Sequence, residues 1–460
     1  MQPIVYQNSI ESIGNTPMLK VTRIDTGPCE LYLKLENQNP GGSIKDRIGK
    51  SMIEAAIADG KLKPGGTLIA ATAGNTGLGL ALVASQLDYP LILVVPDKMA
   101  QEKIYHLKAL GTDVRLTRSD VGKGHPEYYQ DVAERLAREI PNAIYVNQFD
   151  NPANPLAHET GTGPEIWVQM EGRLDAMVCG VGSGGTLTGL GRFFKRVAPN
   201  LEMVLADPEG SILAEYIRTG KISDEVGSWL VEGIGEDFIP PVSDLSYTRH
   251  AYTVSDADAF AAARELLSKE GIIAGSSSGT LLAAALRYCR EQTEPKRVAT
   301  FVCDSGNKYL SKLYNDFWMR DQGFIEREEF GDLRDVISRP HDDRDTVVAA
   351  PNDTLLSVLN RMKLYDISQL PVMDDQGSVI GLVDESDILY SVVNNAAKFS
   401  TPVEAVMTKR LQTLSYKQPI SDLVPLFEKD MVAIITDGDS FLGLITRIDL
   451  LNYLRRKVNK

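Results

Sequence analysis

Hydrophobic residues in the first two thirds of the chain form short, nearly continuous runs, and segments with a helical period separate them. The runs predict strands at 67–70, 91–96, 176–181, 202–207 and 298–304, and the segments between them predict helices at 103–110, 130–140 and 256–270. Apolar strands that alternate with helices are typical of a parallel sheet covered on both faces. We therefore predict an α/β domain over residues 1–322, with ligand-binding loops at the C-terminal ends of its strands.

The composition changes after residue 322. Residues 323–345 are rich in charge and poor in aliphatic side chains, which predicts a linker. An internal repeat follows, in which 376–389 aligns with 439–451. One repeat contains two short apolar strands and a helix start, and it cannot bury its apolar face alone. We therefore predict a second, small α/β domain over residues 346–460, built from repeats at about 346–400 and 401–460.

The composition argues against several classes of function. The chain has 460 residues, 43% of them hydrophobic and 24% charged, as expected for a globular protein of several domains. Its formal net charge of −14 argues against binding to nucleic acid or to an anionic membrane. The four cysteines and five histidines form no cluster with metal-ligand spacing, so we expect reduced thiols, no metal and no haem. Because residues 1–10 lack a signal-peptide pattern, we expect a cytoplasmic protein.

The first candidate for chemistry is NPGGSIKDR at 39–47, where Lys45 follows a turn at the predicted start of a helix. On structural grounds alone, Lys45 can be an ordinary surface cation. The positive end of the helix dipole disfavours a cation at this place, and together with burial it lowers the pKa of an amine. An amine with a lowered pKa suits Schiff-base chemistry with a carbonyl group.

Three further turns are rich in Gly, Ser or Thr: TAGNTG at 72–77, GVGSGGT at 180–186 and GSSSG at 275–279. Each can be a purely structural strand-to-helix turn with a capped helix start. As functional sites, the first suits a substrate carboxylate, the second a phosphate, and the third offers a hydroxyl to a ligand ring nitrogen. The second also has the spacing of a dinucleotide fingerprint, with Asp207 at the end of the next strand, so an NAD-binding oxidoreductase is an alternative.

Together, these motifs and NPANPLAHETGTGPEI at 151–166 resemble the fold-type II pyridoxal-phosphate (PLP) β-family, in its cysteine synthase and cystathionine β-synthase branch. The resemblance implies a catalytic domain similar to the tryptophan synthase β fold, and it argues against NAD, which explains only one motif. It implies that Lys45 binds the cofactor covalently and acts as the catalytic base. The other cofactor-binding residues that it implies are Asn75 at the ring hydroxyl, Gly182, Ser183, Gly184, Gly185 and Thr186 at the phosphate, and Ser277 at the pyridine nitrogen. The implied substrate-binding residues are Thr72, Ala73, Gly74, Asn75, Thr76, Gln148, Gly233 and Glu236.

The resemblance also implies a reaction. It is a β-replacement that condenses L-serine, or an activated serine, with L-homocysteine to cystathionine, with hydrogen sulfide formed in side reactions. The stretch VEGIGEDFIP at 231–240 and the C-terminal repeat favour this synthase activity. Ala73, Phe149 and Glu236 replace hydroxyl-bearing residues common in the synthases, which leaves open a cysteine synthase that uses O-acetylserine and sulfide. Glu236 is a hypothetical proton donor to the departing hydroxyl, or a partner for the amino group of the acceptor.

The C-terminal repeat resembles a CBS-pair (Bateman) module, a family that binds adenosyl ligands. Its ribose-binding pattern, G-h-h-[ST]-x-x-D, is matched at 443–449, which implies a regulatory adenosyl site with Thr446 and Asp449. At 381–387 Asp384 takes the Ser/Thr position and would repel phosphates. The candidate regulators are S-adenosylmethionine and an adenine nucleotide, and the cationic S-adenosylmethionine suits an acidic cleft better. An alternative for the module is a surface that only assembles subunits and binds no ligand. An alternative for the whole protein is a non-enzymatic adenosyl sensor with a degenerate PLP domain, against which the intact Lys45, Asn75, Gly184 and Ser277 argue. The family implies amino acids and thiols as small-molecule partners and a homodimer, or a higher oligomer through the CBS pair.

Overall fold

The computed structural model describes residues 5–72, 74–97, 101–121, 124–222, 226–326, 328–341 and 346–458. Contacts within the chain divide it into two units, Met1–Tyr314 and Asn315–Lys460. The division falls before the predicted boundary at residue 322, because the helix Asp316–Asp321 packs within the second unit. Its Asp321 carboxylate accepts a hydrogen bond from Arg456 at 3.0 Å, near the end of the chain.

The described residues of the first unit form two sheets. The larger has the strand order β1-β2-β10-β7-β8-β9 and is parallel except for β1, and the smaller has the order β5-β4-β3-β6 and is fully parallel. The strands are β1 Met18–Lys20, β2 Glu30–Leu35, β3 Thr67–Ala71, β4 Leu91–Pro96, β5 Asp113–Thr117, β6 Ala143–Tyr145, β7 Ala176–Cys179, β8 Glu202–Pro208, β9 Thr248–Val254 and β10 Arg297–Val302. The parallel α/β architecture predicted from the apolar runs is confirmed.

Helices pack against these sheets. They are α1 Lys45–Ala58, α2 Asn75–Gln86, α3 Gln101–Ala109, α4 Tyr129–Glu139, α5 Ala153–Ala157, α6 Gly163–Gln169, α7 Gly185–Val197, α8 Leu213–Thr219, α9 Asp256–Glu270 and α10 Ser276–Arg290. The apolar region at 78–95 forms most of a buried helix, α2, and a buried strand, β4. Among the described residues, no helix combines the length and the apolar character needed to cross a bilayer.

Two glycines bring the starts of α1 and α2 together. A Cβ on Gly49 would lie 2.6 Å from the carbonyl carbon of Gly79, and a Cβ on Gly79 would lie 2.6 Å from the carbonyl oxygen of Lys45. Side chains at these positions would therefore separate the two helices. The contact places Lys45, the first residue of α1, beside the helix that begins at Asn75.

A buried ionic network fixes α1 from its other side. Arg47 donates hydrogen bonds to both oxygens of Glu36, at 2.7 and 2.8 Å, and to both oxygens of Glu165, at 2.7 and 2.8 Å. Lys34, which is fully buried, donates to Glu165 at 2.8 Å. Buried charges of this kind require partners of opposite sign, so β2, α1 and α6 depend on one another for their placement.

The second unit contains the repeat. Its elements are α11 Asp316–Asp321, α12 Leu355–Tyr365, β11 Gln369–Met373, β12 Val379–Asp384, α13 Glu385–Val392, β13 Thr413–Ser415, α14 Val424–Phe427, β14 Ala433–Asp437, β15 Ser440–Ile445 and α15 Arg447–Val458. β11 pairs with β12, and β13, β14 and β15 form a second sheet. Leu333, Val336 and Ile337, within the predicted linker, are buried in a core with Ile435 and Ile445. Part of that segment is therefore folded against the second repeat.

Candidate active site

The structure places Lys45 in a narrow cleft of the first unit. The residues that line the cleft are Ile44, Lys45, Gly180, Gly182, Ser183, Gly184, Thr186, Ile234, Leu281, Phe301 and Cys303. The cleft therefore brings together Lys45 and most of the predicted phosphate-loop residues. Burial lowers the pKa of the Lys45 amine, and the nearby Cys303 and Asp304 oppose this shift. A lowered pKa increases the fraction of the neutral amine that can attack a carbonyl group.

The glycines of the loop before α7 occupy positions with no room for a side chain. A Cβ on Gly184 would lie 1.6 Å from the hydroxyl oxygen of Ser243, and one on Gly185 would lie 1.8 Å from the side-chain oxygen of Asn154. Gly184 also has φ of +87°, a conformation that other residues rarely adopt. The loop therefore presents its backbone N–H groups at the start of α7, where an anion is favoured.

Polar side chains support this loop from behind. Asn154 donates to the hydroxyl of Ser183 at 2.9 Å, and His158 is hydrogen-bonded to the hydroxyl of Thr186 at 3.2 Å. Burial, followed by the charges of Arg47 and Lys45, lowers the pKa of His158 well below its usual value. His158 is thus a neutral imidazole that orients Thr186 and adds no charge of its own.

Asn75 lies at the centre of a polar network. Its amide nitrogen donates to Asp304 at 2.8 Å, and its amide oxygen accepts from Lys308 at 2.7 Å. Tyr309 donates to the same oxygen of Asp304 at 2.8 Å. The other oxygen of Asp304 is buried and has no partner within the described part of the chain.

Ser277 lies in the first turn of α10 and is buried. A hydrogen bond from its side chain reaches the thiol of Cys303, which lines the Lys45 cleft. Burial raises the pKa of Cys303 to about 12, with a further contribution from Asp304, so this thiol stays protonated at neutral pH. Ser277 therefore offers a neutral hydroxyl next to the cleft wall.

The predicted substrate-binding residues come from three segments. Thr76 donates to the side-chain oxygen of Gln148 at 2.7 Å, and the hydroxyl of Thr72 accepts from the backbone N–H of Gly74 at 3.4 Å. Ala73 lies outside the described residues. A Cβ on Gly182 would lie 2.5 Å from the carbonyl oxygen of Gly233, so the 231–240 segment packs directly on the glycine loop.

Glu236 follows Gly233 in this segment. Burial raises the pKa of its carboxyl to about 8, and the charges of Asp237 and Asp207 add to this effect. Burial, and to a smaller extent the charge of Glu236, raises the pKa of Tyr129. The Tyr129 phenol, at the start of α4, therefore lies near Glu236, on a side of the site where the sequence indicated only lost hydroxyls.

Sequence reasoning assigned no role to His158, Cys303, Asp304 or Lys308. A signal for the last three was present, since the stretch CDSGNK at 303–308 follows directly after β10. The C-terminal ends of parallel strands are where such folds place ligand-binding groups. His158 belonged to the recognised stretch at 151–166 but had no partner that could be named from sequence.

The second unit has a separate cleft of about 490 Å³, within the range of small-molecule sites. Thr446 and Asp449 both line it, together with Arg339, Asp366, Asp430 and Arg447. The Asp449 carboxylate accepts from the backbone N–H of Thr446 at 2.7 Å and from its hydroxyl at 2.6 Å.

The first repeat has the same local geometry at Asp384 and Asp387. The backbone N–H of Asp384 donates to the Asp387 carboxylate at 3.1 Å, and that of Asp387 donates to the Asp384 side chain at 2.8 Å. Asp387 in the first repeat and Asp449 in the second therefore both cap the start of a helix. This structural role does not depend on a ligand.

Comparison with known proteins decides the family. Residues 10–304 match the family model described as pyridoxal-phosphate dependent enzyme, and residues 333–394 and 403–456 match the CBS domain. The chain belongs to the pyridoxal-phosphate-dependent enzymes. A cystathionine beta-synthase from Apis mellifera is 35% identical over 98% of this chain and 91% of its own length. This family member is thus a PLP-dependent lyase with a C-terminal pair of CBS domains.

Two solved structures are similar to the PLP-dependent part. A hydrogen sulfide-producing enzyme from Fusobacterium nucleatum has a TM-score of 0.62 and 36% identity, over 66% of this chain and 100% of its own. An O-acetylserine dependent cystathionine beta-synthase from Helicobacter pylori has a TM-score of 0.62 and 37% identity, over 67% of this chain and 99% of its own. The relatives therefore carry different named activities, and their names do not select one set of substrates for this PLP-dependent enzyme.

The residues of the cleft fit PLP. The crowded glycine loop at the start of α7 suits a phosphate, and the buried amine of Lys45 suits an aldehyde. When bound, PLP supplies an electron sink that stabilises negative charge at the α-carbon of an amino acid. The protein contributes the groups that hold the cofactor and the substrate and that move protons.

Proposed function

We propose that the enzyme catalyses a β-replacement on L-serine, or an activated serine, with L-homocysteine as acceptor and cystathionine as product. The observation that carries this proposal is the match of nearly the whole chain, both units included, to cystathionine beta-synthases. In the proposed reaction, Lys45 removes and returns the proton of the α-carbon, which its lowered pKa favours. The start of α2, with Thr72, Gly74 and Thr76 beside Gln148, binds the substrate carboxylate.

The choice of donor depends on how its leaving group departs. The hydroxyl group of serine leaves only with a proton, whereas the acetate of O-acetylserine leaves as an anion. Glu236 has the environment of a proton donor, since burial and two neighbouring carboxylates favour its protonated form. This observation supports serine as a donor in spite of the hydroxyls that Phe149 and Glu236 replace. A cysteine synthase activity with O-acetylserine and sulfide is the alternative.

A product assay on the purified PLP-loaded enzyme tests the proposal. Serine and O-acetylserine are each combined with homocysteine and with sulfide, and cystathionine and cysteine are quantified by mass spectrometry. Cystathionine from serine and homocysteine is the expected main product. Turnover only of O-acetylserine with sulfide would refute the proposal and establish the alternative. Sulfide release from cysteine and homocysteine measures the side reaction.

We further propose that the cleft at Thr446 and Asp449 binds S-adenosylmethionine as a regulator. The lining of this cleft includes three carboxylates, of Asp366, Asp430 and Asp449, and two guanidinium groups, of Arg339 and Arg447. Arg447 is already paired with Asp430 at 2.5 Å. This balance favours a cationic ligand over a nucleotide. Calorimetric titration with S-adenosylmethionine, AMP and ATP tests the order of affinities, and tighter binding of ATP would refute it. We also propose a homodimer, which light scattering would test.

A further inference from the structure

Lys308 is a charged residue next to the cofactor-binding residues to which the proposed reaction gives no task. It lies in the short turn Gly306–Lys308 after β10, and its side chain reaches back towards the cleft. Its ammonium group donates to the side-chain oxygen of Asn75 at 2.7 Å and to the backbone oxygen of Gly41 at 3.3 Å. Lys308 therefore links the loop that carries Lys45 to the first residue of α2.

The partners of Asn75 select one orientation of its amide. The two ends of an amide have nearly the same shape, so the hydrogen-bonding partners decide which end points where. An ammonium group can only donate and therefore needs the oxygen of Asn75, whereas the carboxylate of Asp304 can only accept and needs the nitrogen. Lys308 and Asp304 thus enforce the same orientation from opposite ends, and the second N–H of Asn75 remains unused by either.

The same contacts place charges beside the amide. Burial lowers the pKa of Lys308 and raises that of Asp304, and the charge of each partner opposes the shift of the other. Tyr309 donates a hydrogen bond to Asp304. On the other side, the backbone N–H of Gly41 donates to the Asp46 carboxylate at 2.6 Å. The network is therefore anchored on both sides of Asn75, as expected for an arrangement that holds one side chain in place.

We propose that Lys308 is a positioning residue, which fixes the amide of Asn75 so that it presents an N–H donor, and not its oxygen, to the bound PLP. The proposal rests on PLP as cofactor and on Asn75 as the partner of its ring hydroxyl oxygen. It is independent of whether serine or O-acetylserine is the donor. A cation at the oxygen of an amide also polarises the amide and makes its N–H a stronger donor. The pair Lys308–Asn75 therefore stabilises the anionic form of the ring oxygen.

Absorption spectra of the PLP-loaded enzyme test this proposal without any substrate. Bound PLP absorbs at long wavelength when the ring oxygen is anionic and at shorter wavelength when it is neutral. We expect Lys308→Met to lower the ratio of the long- to the short-wavelength band about tenfold and to accelerate PLP loss by a similar factor, since hydrogen bonds to charged groups have this strength. Lys308→Arg, which keeps a charged donor, restores most of both values.

Three further variants make the result decisive. Lys296→Met is the matched control, because Lys296 lies at the other end of β10 and bonds to Glu202 and Tyr288, each at 2.8 Å; it should leave the spectrum unchanged. Asn75→Ala should shift the band ratio at least as far as Lys308→Met, and in the double variant the two effects should not add.

A wild-type spectrum in folded Lys308→Met, together with a shifted one in Asn75→Ala, overturns the proposal. Equal changes of the band ratio and of the rate of PLP loss in Lys308→Arg and Lys308→Met also overturn it, since loss of packing then explains both variants. If Asn75→Ala has a wild-type spectrum, the assignment of Asn75 to the ring oxygen fails and the proposal fails with it. None of these outcomes depends on which products the substrate assay detects.

Discussion

Glu236→Gln tests whether this carboxyl donates the proton that serine needs and O-acetylserine does not. The pKa of Glu236 is raised to about 8 by burial and by Asp237 and Asp207. Such a group is protonated in roughly nine molecules of ten at pH 7. A glutamine keeps the shape of the side chain but cannot act as the acid. We expect turnover of serine with homocysteine to fall by about 10²- to 10⁴-fold, and turnover of O-acetylserine to change by less than about threefold.

The pH profile supplies a second readout of the same prediction. Serine turnover by the wild type should fall above pH of about 8, as Glu236 loses its proton, whereas O-acetylserine turnover should not show this decline. Asp237→Asn is the matched control. This variant keeps Glu236 but removes the charge of Asp237, which raises the pKa of Glu236. The pH at which serine turnover falls should therefore be lower than in the wild type.

Equal loss with both donors in Glu236→Gln would refute the role as proton donor. A raised KM for homocysteine with either donor would then assign Glu236 to the amino group of the acceptor. A serine profile without an alkaline decline would also contradict the reasoning.

Three further changes test other parts of the structure. Gly184→Ala should weaken PLP binding by roughly tenfold or more, measured by fluorescence titration, because the new methyl group strains the backbone and collides with Ser243. Gly111→Ala is the control for backbone strain alone, because Gly111 has φ of +81° and open space around the position of a Cβ. Glu165→Gln should lower the free energy of unfolding at pH 7, measured in urea, by about 3–5 kcal/mol, since it removes the carboxylate partner of the buried Lys34 and one of the carboxylate partners of Arg47. The pKa of Glu165 is lowered to about 2 from 4.5, so this stabilisation is present above about pH 4.5 and should disappear as the pH falls towards 2; an unchanged difference in acid would contradict the prediction. If S-adenosylmethionine binds as proposed, it should raise the Tm of the wild type, and Asp449→Ala should abolish this increase; an undiminished increase would exclude the cleft as its site.

Much of the fold was predictable from local pattern. The run at 91–96 became β4, Leu91–Pro96, and the segment at 256–270 became α9, Asp256–Glu270, because burial on both faces and a capped amphipathic helix leave clear signatures. The segment at 323–345 was less predictable. Three of its apolar residues, Leu333, Val336 and Ile337, are buried by the second repeat, and no local pattern indicates such a partner.

The candidate site likewise has features that the sequence predicts and features that it does not. The sequence by itself determined the motifs: Lys45 at a helix start, the glycine loop at 180–186 and the serine turn at 275–279, because each depends on backbone conformation within a few residues. Only the tertiary structure decided their surroundings. The protonated state of Glu236 depends on burial and on Asp207, and the orientation of Asn75 depends on Asp304 and Lys308. These groups are distant in the chain, and their influence on charge and hydrogen bonding depends on separations that only the folded chain sets.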